Sequence, residues 1–196
     1  ALTHSIEAYV AGLRTDITDA LAMKAIDMIV HNIEKAVKGD KEGRAKLHVA
    51  QCLAGMSFSN ALLGIVHSLA HKTGAEFHIT HGRCNAILLP YVIEYNSKVC
   101  ANRFADIARM LKLSGNTDAE LTAALVNKVK ELNVKLGIKQ TYKDNGVAED
   151  HFKQKCDDIA KNAVADPCTS SNPRETDVAN MKKVLEAAYY GNAVNF

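Results

Sequence analysis

The sequence predicts an all-α fold, a bundle of about seven or eight helices in one domain spanning residues 1–196. Apolar residues recur at helical spacing through almost the whole chain, and no run alternates apolar and polar residues as a half-buried strand would. Segments rich in Gly, Pro and Asn separate the helical stretches, but none is long enough to divide the chain. Apolar residues make up 47% of the chain, which is enough for a sizeable core.

The first half of the chain predicts three helical stretches followed by a loop. Residues 1–10 read as an amphipathic helix from the first position. A second helix over about 17–37 has threonine and aspartate immediately before it as candidate N-caps. The apolar stretch over about 42–71 predicts one helix or a helix pair, and its small residues indicate close packing against other helices. A loop over 72–80 is expected to follow, with a break at Gly74.

The second half predicts five further helices. Pro90 is expected to kink or divide the first of them, because proline lacks the N–H that a helix interior needs. The segment 137–147 reads as a loop or a short extended piece. The five predicted helices cover about 82–96, 98–112, 117–135, 148–164 and 175–189.

Charge and composition exclude several classes of protein. The net charge of +2 gives no electrostatic footprint for nucleic acid and no polybasic membrane patch. No apolar run reaches the length of a membrane span, no signal peptide opens the chain, and no GxGxxG or P-loop pattern occurs. The cysteines are odd in number and form no CxxC pair, which is typical of reduced thiols in a cytoplasmic protein. They are Cys52, Cys84, Cys100, Cys156 and Cys168.

A group of histidines predicts a metal site. His67 and His71 lie four residues apart, so they project from one helix face. The predicted loop after them allows His81 to fold back toward that face, and His4 stands near the start of the chain. Imidazole is the commonest side-chain ligand of transition metals, although an i, i+4 histidine pair alone is only a moderately specific signal. His78, three residues before His81, leaves the membership of the site open.

The chemistry of such a site can be stated from the ligands. Imidazole binds metal only when neutral, and the positive end of a helix dipole beside His81 disfavours its charged form. Three neutral histidines leave the charge of a divalent ion uncompensated, so a carboxylate is expected as well. Histidines outside this group are expected to be structural or solvated, namely His31, His48 and His151.

Three motifs resemble the C-terminal helical half of the iron-containing (group III) alcohol dehydrogenases. The family pattern D-A-L-T-H-x-I-E-A-Y is similar to residues Ala1–Tyr9, which lack only its leading Asp. A second signature is similar to the chain from Gly64-Ile65-Val66-His67 through His81-Gly82-Arg83-Cys84-Asn85-Ala86. A third covers Asp166–Arg174 (DPCTSSNPR), followed by the terminal Tyr189–Gly191. The resemblance extends over essentially the whole chain.

This resemblance implies roles for individual residues. The metal ligands of the family correspond to His4, His67 and His81, with an Asp that would precede Ala1 as the fourth ligand. His71 corresponds to a histidine that approaches the nicotinamide and the active site without binding metal, which implies a catalytic and cofactor-binding role.

The resemblance also implies a substrate pocket. In some members that pocket is lined from positions that correspond to Phe58, Leu63 and Cys168. Ordinary core packing is the alternative for Phe58 and Leu63, and a buried thiol at a turn is the alternative for Cys168.

The activity implied is that of a metal-containing, NAD(P)-dependent alcohol dehydrogenase. The resemblance implies Fe²⁺ as the metal, with Zn²⁺ as the alternative, and a small alcohol or aldehyde as the substrate. The metal would act as a Lewis acid while hydride passes between the substrate and NAD(H) or NADP(H). A helical interaction module with an incidental or structural metal site is the competing hypothesis.

The parent protein implied is longer than this chain. A helix that starts at Ala1 without an initiator Met indicates that the N-terminal nucleotide-binding domain is absent, and we expect the isolated chain to be inactive and to bind metal weakly. Parts of the sequence look like the dehydrogenase half of bifunctional aldehyde-alcohol dehydrogenases. The short passage from Tyr95 to Phe104 lacks the insertion usual there, which favours a stand-alone, butanol-dehydrogenase-like parent. We expect a homo-oligomer.

Overall fold

The computed structural model describes every residue from 1 to 196 and contains eight α-helices and no strand. A short 3₁₀ turn, Pro167–Ser171, precedes the last helix. The all-α prediction is therefore confirmed, and the segment 137–147 is a loop. The helices are α1 (Leu2–Val10), α2 (Asp16–Val37), α3 (Lys41–Ala61), α4 (Ile65–Phe77), α5 (His81–Met110), α6 (Asp118–Lys135), α7 (Glu149–Val164) and α8 (Val178–Tyr190).

Side-chain caps explain where several helices begin. Thr15 caps α2 through a reciprocal pair of hydrogen bonds with Thr18, and Thr117 caps α6 in the same way with Glu120. Asp40 accepts a hydrogen bond from the amide of Gly43 at the start of α3. Such side chains satisfy amide groups that lack a partner in the first turn of a helix.

The stretch predicted over 42–71 is a helix pair, and the predicted loop over 72–80 is mostly wrong. α3 and α4 meet at a bend of 107°. α4 then continues through Gly74 to Phe77. A Cβ added to Gly74 would lie 3.1 Å from the carbonyl oxygen of Ile79, so glycine allows the chain after α4 to return closely against the helix. A glycine inside a helix costs only about 1 kcal/mol, which tertiary packing offsets.

The two helices predicted over 82–96 and 98–112 are joined end to end in α5. The helix is kinked at Cys100 (φ −140°, ψ 37°), whereas Pro90 lies within it without dividing it. Proline cannot donate to the carbonyl of Ala86, four residues earlier. The side-chain amide of Asn133 on α6 donates to that carbonyl instead, at 2.7 Å. The neighbouring helix thus compensates for the missing backbone hydrogen bond.

Packing brings three helix termini together at one place. α2 packs most extensively against α3, and α5 against α6, while α1 contacts both α3 and α5. α4 is a core helix whose first six residues are all buried. No single helix is long and apolar enough to cross a membrane; α3 and α4 reach that length and composition only when counted together across their bend. The arrangement places α1, the start of α4 and the start of α5 side by side.

Candidate metal centre

Three histidines from three helices converge where those helices meet. One possible ligand atom from each of His4, His67 and His81 lies within 4.8 Å of the other two. The ring centroids are 4.5 Å apart for His4 and His67 and 5.3 Å apart for His67 and His81. The structure therefore brings together the three residues expected to bind metal. Metal binding by them stays a prediction.

Glu7 fixes the orientation of His67 from the side away from this cluster. Glu7 lies one turn after His4 on α1 and is only 3% exposed. One carboxylate oxygen accepts a hydrogen bond from the amide of Val66 at 2.8 Å, and the other accepts from Nδ1 of His67. An ionised carboxylate only accepts, so Nδ1 of His67 carries a hydrogen, and in the neutral form of the ring Nε2 then keeps a free lone pair. Carboxylates commonly orient metal-binding histidines in this way.

Electrostatics keep two of these histidines neutral. Burial, together with the charges of His67, the Ala1 amine and His81, lowers the pKa of His4 to about 3. Burial also lowers the pKa of His81, with added contributions from His67 and His71. Both side chains therefore remain neutral near pH 7, which is the form that binds a metal ion.

The donor set fits a transition-metal ion. Nδ1 of His4 is buried and has no hydrogen-bond partner. Buried polar atoms normally have a partner, so an orphaned nitrogen beside two other imidazoles is consistent with a site that is completed by a further atom. Neutral imidazoles suit iron, zinc, copper and nickel. Their neutrality leaves the ion's charge to be balanced by another donor.

Asn85 lies between two of the candidate ligands. It stands four residues after His81 on α5 and is 4% exposed. Its side-chain nitrogen is 3.0 Å from Nε2 of His81 and 3.3 Å from Nε2 of His67. Neither Asn85 nor Glu7 was among the residues predicted for the site. Their spacing, one helical turn from His81 and His4 respectively, is the signal that places them on the same helix faces.

His71 lies beside the three clustered histidines and has different partners. Its ring stacks on that of His81 with centroids 5.5 Å apart. Its Nδ1 is 3.1 Å from a carboxylate oxygen of Asp166, and the ammonium of Lys72 is 2.9 Å from the same oxygen. A second group of possible ligands therefore joins His71, Asp166 and Cys168. Because Lys72 already neutralises the carboxylate, this group is better described as an ion-paired arrangement than as a second cation site.

The residues expected to line a substrate pocket occupy different positions around the histidines. Phe58 stacks on His4 with ring centroids 4.5 Å apart. Leu63 is buried in the turn between α3 and α4, where its carbonyl accepts a hydrogen bond from the hydroxyl of Ser171. Cys168 lies beside Asp166, and burial raises the pKa of its thiol to about 12. A pocket lined by Phe58, Leu63 and Cys168 stays a prediction.

The other histidines lie outside both groups of possible ligands. His78 ends α4 in the left-handed conformation (φ 53°), is exposed, and does not join the group of His4, His67 and His81. His31 bonds the carbonyl of Asp27, and His151 bonds the carboxylate of Glu76 at 2.8 Å. His48 is exposed on α3. These placements agree with structural or solvated roles.

The third sequence motif anchors α4. The side-chain oxygen of Asn172 accepts a hydrogen bond from the amide of Ile65, the first residue of that helix. Asn172 also exchanges two hydrogen bonds with the side chain of Asn96 on α5. Since α4 carries His67 and His71, this motif fixes the helix on which both histidines depend.

Comparison with known proteins agrees with this arrangement. The fold and the site define a class of protein, a helical domain in which imidazole side chains from three helices converge. A family model described as Fe-containing alcohol dehydrogenase family, C-terminal, matches residues 1–189, and the chain belongs to that family. It is 57% identical over 196 residues to the NADPH-dependent butanol dehydrogenase of Clostridium saccharobutylicum, a match that covers 100% of this chain and 50% of that protein.

Other relatives are more distant but match nearly the whole chain. Identity is 38% over 191 residues to lactaldehyde reductase of Escherichia coli K12, covering 96% of this chain and 49% of that protein. The solved structure of a 1,3-propanediol oxidoreductase superposes with a TM-score of 0.90 at 33% identity, covering 96% of this chain and 49% of that one. The structure of the iron-containing alcohol dehydrogenase of Thermococcus thioreducens superposes with a TM-score of 0.89 at 35% identity, covering 97% of this chain and 49% of that one. The chain thus spans about half the length of these relatives.

Proposed function

We propose that residues 1–196 are the metal-binding half of an iron-dependent, NAD(P)-dependent alcohol dehydrogenase that interconverts primary alcohols and aldehydes. The convergence of His4, His67 and His81 within 4.8 Å is the observation that carries this proposal. The relatives support it, because one is named an NADPH-dependent butanol dehydrogenase and another a lactaldehyde reductase. A helical interaction module would not need three converging imidazoles, two of them held neutral by burial.

The ion proposed is Fe²⁺, with Zn²⁺ as the alternative, because imidazole ligands accept both metals. When bound, the ion would supply Lewis-acid chemistry at the substrate oxygen. We propose that a carboxylate just upstream of Ala1 completes the ligand set. The geometry of α1 supports the proposal, since Ala1 caps this helix and a residue just before Ala1 would stand about one helical turn from His4.

His71 is proposed to position the nicotinamide or to relay a proton. Asp166 accepts from Nδ1 of His71, which leaves Nε2 as the nitrogen available for either task. The side chain of His71 is 39% exposed, so it is accessible beside the buried ring of His67. Asp166 is held in turn by the Lys72 ammonium and by the backbone amide of Cys168. The oriented imidazole is therefore kept in one tautomer by a fixed carboxylate.

The nucleotide cofactor is proposed to bind a separate N-terminal domain, because the relatives are about twice as long as this chain. We therefore expect residues 1–196 alone to produce no NAD(P)H from an alcohol. We also propose a homo-oligomer. Ile17 (75% exposed) and Val134 (66% exposed) are large apolar side chains at the surface that association would cover.

The test uses the whole protein that contains these residues. Metal analysis and a panel of primary alcohols should reveal bound metal and alcohol-dependent reduction of NAD⁺ or NADP⁺. His81→Ala removes an accessible candidate ligand, whereas His48→Ala removes an exposed histidine on α3. We expect the first substitution to abolish metal retention and activity and the second to change neither. Full metal retention in His81→Ala would contradict the ligand assignment.

A further inference from the structure

The side chain of Asn85 has a hydrogen-bonding pattern that ordinary packing does not explain. Its nitrogen is within hydrogen-bond distance of Nε2 on both His67 and His81, while its oxygen is buried and has no partner. A buried amide normally satisfies both its donor and its acceptor atoms. Here all the hydrogen bonding is directed toward two candidate metal ligands.

The chemistry of His67 supports this orientation of the amide. Since Glu7 accepts from Nδ1 of His67, Nε2 of the neutral ring, the form that binds metal, has no hydrogen and acts only as an acceptor. An oxygen of Asn85 in place of its nitrogen would face that lone pair and repel it. The NH₂ group, in contrast, has two hydrogens and can donate one to each imidazole. The unpartnered oxygen is the consequence of satisfying both rings.

An ion and the amide cannot use these lone pairs together. An unprotonated imidazole nitrogen has one lone pair, and a metal ion would take it at about 2.0–2.1 Å. We propose that Asn85 is a positioning residue that holds the lone pairs of His67 and His81 in the ion-free protein and releases both when an ion binds. This inference rests on the proposed metal site, and it adds a residue that competes with the ion.

The proposal has a thermodynamic consequence. Asn85 stabilises the ion-free form by satisfying one buried acceptor, on His67, and one partly buried acceptor, on His81, and it loses both hydrogen bonds in the ion-bound form. Whatever stabilises only the ion-free form weakens ion binding by the same free energy. Removing the amide should therefore destabilise the ion-free protein and tighten metal binding. Leaving buried acceptors unsatisfied is costly enough to predict about a tenfold change in the dissociation constant.

The experiment measures Zn²⁺ affinity of the whole protein by competition with a chromophoric chelator, together with thermal unfolding with and without Zn²⁺. Asn85→Leu removes both donors while keeping similar volume. Asn85→Ala is the second variant, in which an entering water can replace part of the hydrogen bonding, so its effect should be smaller and of the same sign. We expect about tenfold tighter binding in Asn85→Leu and a larger rise of Tm on adding Zn²⁺.

Asn133→Ala is the matched control. Asn133 is also a buried asparagine, 5% exposed, but its amide donates to a backbone carbonyl and not to a candidate ligand. Its loss should lower Tm with and without Zn²⁺ by similar amounts and leave the affinity unchanged. Unchanged or weaker Zn²⁺ binding in both Asn85 variants would overturn this inference alone. Absence of Zn²⁺ binding in the unsubstituted protein, or full binding in His81→Ala, would overturn the metal site as well.

Discussion

Replacing Glu7 by glutamine should damage metal binding more than it damages folding. The carboxylate accepts from the amide of Val66 and from Nδ1 of His67. A glutamine has one accepting oxygen and one donating NH₂, so it can satisfy both neighbours only if Nδ1 of His67 becomes an acceptor. The hydrogen of that ring then moves to Nε2, which faces the other histidines and can no longer bind a metal ion.

The magnitudes follow from these contacts. Two hydrogen bonds to a charged group, roughly 1.5–3 kcal/mol each, become two neutral ones of about 1 kcal/mol each. The expected loss in the free energy of unfolding is therefore about 1–4 kcal/mol, which most domains tolerate because their total stability is about 5–15 kcal/mol. Removing the carboxylate behind a metal-binding histidine typically weakens metal binding about 10- to 100-fold. The variant should fold and bind metal poorly.

The assay combines urea unfolding of the ion-free protein with metal affinity measured against a chelator. Glu76→Gln is the matched control, because Glu76 also bonds a histidine, His151, but lies outside the histidine cluster. The control should bind metal as the unsubstituted protein does. If Glu7→Gln also bound metal with unchanged affinity, the argument from the tautomer of His67 would be refuted.

Three further predictions concern the backbone carbonyl left without a donor by Pro90, the close packing around Gly64 and the effect of pH on Asp166. Asn133→Ala should lower the free energy of unfolding, measured in urea, by about 1–3 kcal/mol. The loss should be smaller in a Pro90→Ala background, because the helix regains its own N–H donor there. Equal losses in the two backgrounds would contradict this. Gly64→Ala would place a Cβ 2.9 Å from two side-chain oxygens and should lower the free energy of unfolding by about 1–3 kcal/mol. Gly55→Ala is the control: its Cβ would have no atom within 4 Å, so it should stabilise α3 by up to about 1 kcal/mol. Burial alone would raise the pKa of Asp166, but hydrogen bonds from neighbouring lysine, backbone and histidine groups lower it from 3.8 to about 2. Its contribution to stability should therefore be complete above about pH 4 and disappear as the pH falls through about 2, so the difference in unfolding free energy between the wild type and Asp166→Asn should shrink over that interval.

Helix positions were predicted well where the signal is local. α2 begins at a threonine that was a candidate N-cap, and α2 and α6 end at Val37 and Lys135, as predicted. The two errors occurred where a distant contact overrides a local one. Gly74 continues a helix because the chain after it packs closely against it. Pro90 does not divide α5, because a side chain from α6 supplies the missing hydrogen bond.

The sequence predicted the histidines of the candidate site but not the residues that hydrogen-bond to them. Histidine spacing and resemblance identified His4, His67, His71 and His81, and the structure brings all four together. Glu7 and Asn85 were missed, because glutamate and asparagine on a helix are usually solvated. Only their burial at 3% and 4% and their contacts to the histidines reveal a role.

The sequence by itself determined the all-α class, the family and the candidate metal ligands. Helical periodicity, caps and motifs each lie within a short stretch of the chain, so they can be recognised without the tertiary structure. The tertiary structure decided which atoms meet. It separated His78 from His81, gave His71 a carboxylate partner, and placed Glu7 and Asn85 on opposite nitrogens of His67. These are contacts between residues tens of positions apart, and they depend on how helices pack. The tautomers that a metal site requires are therefore decided by packing.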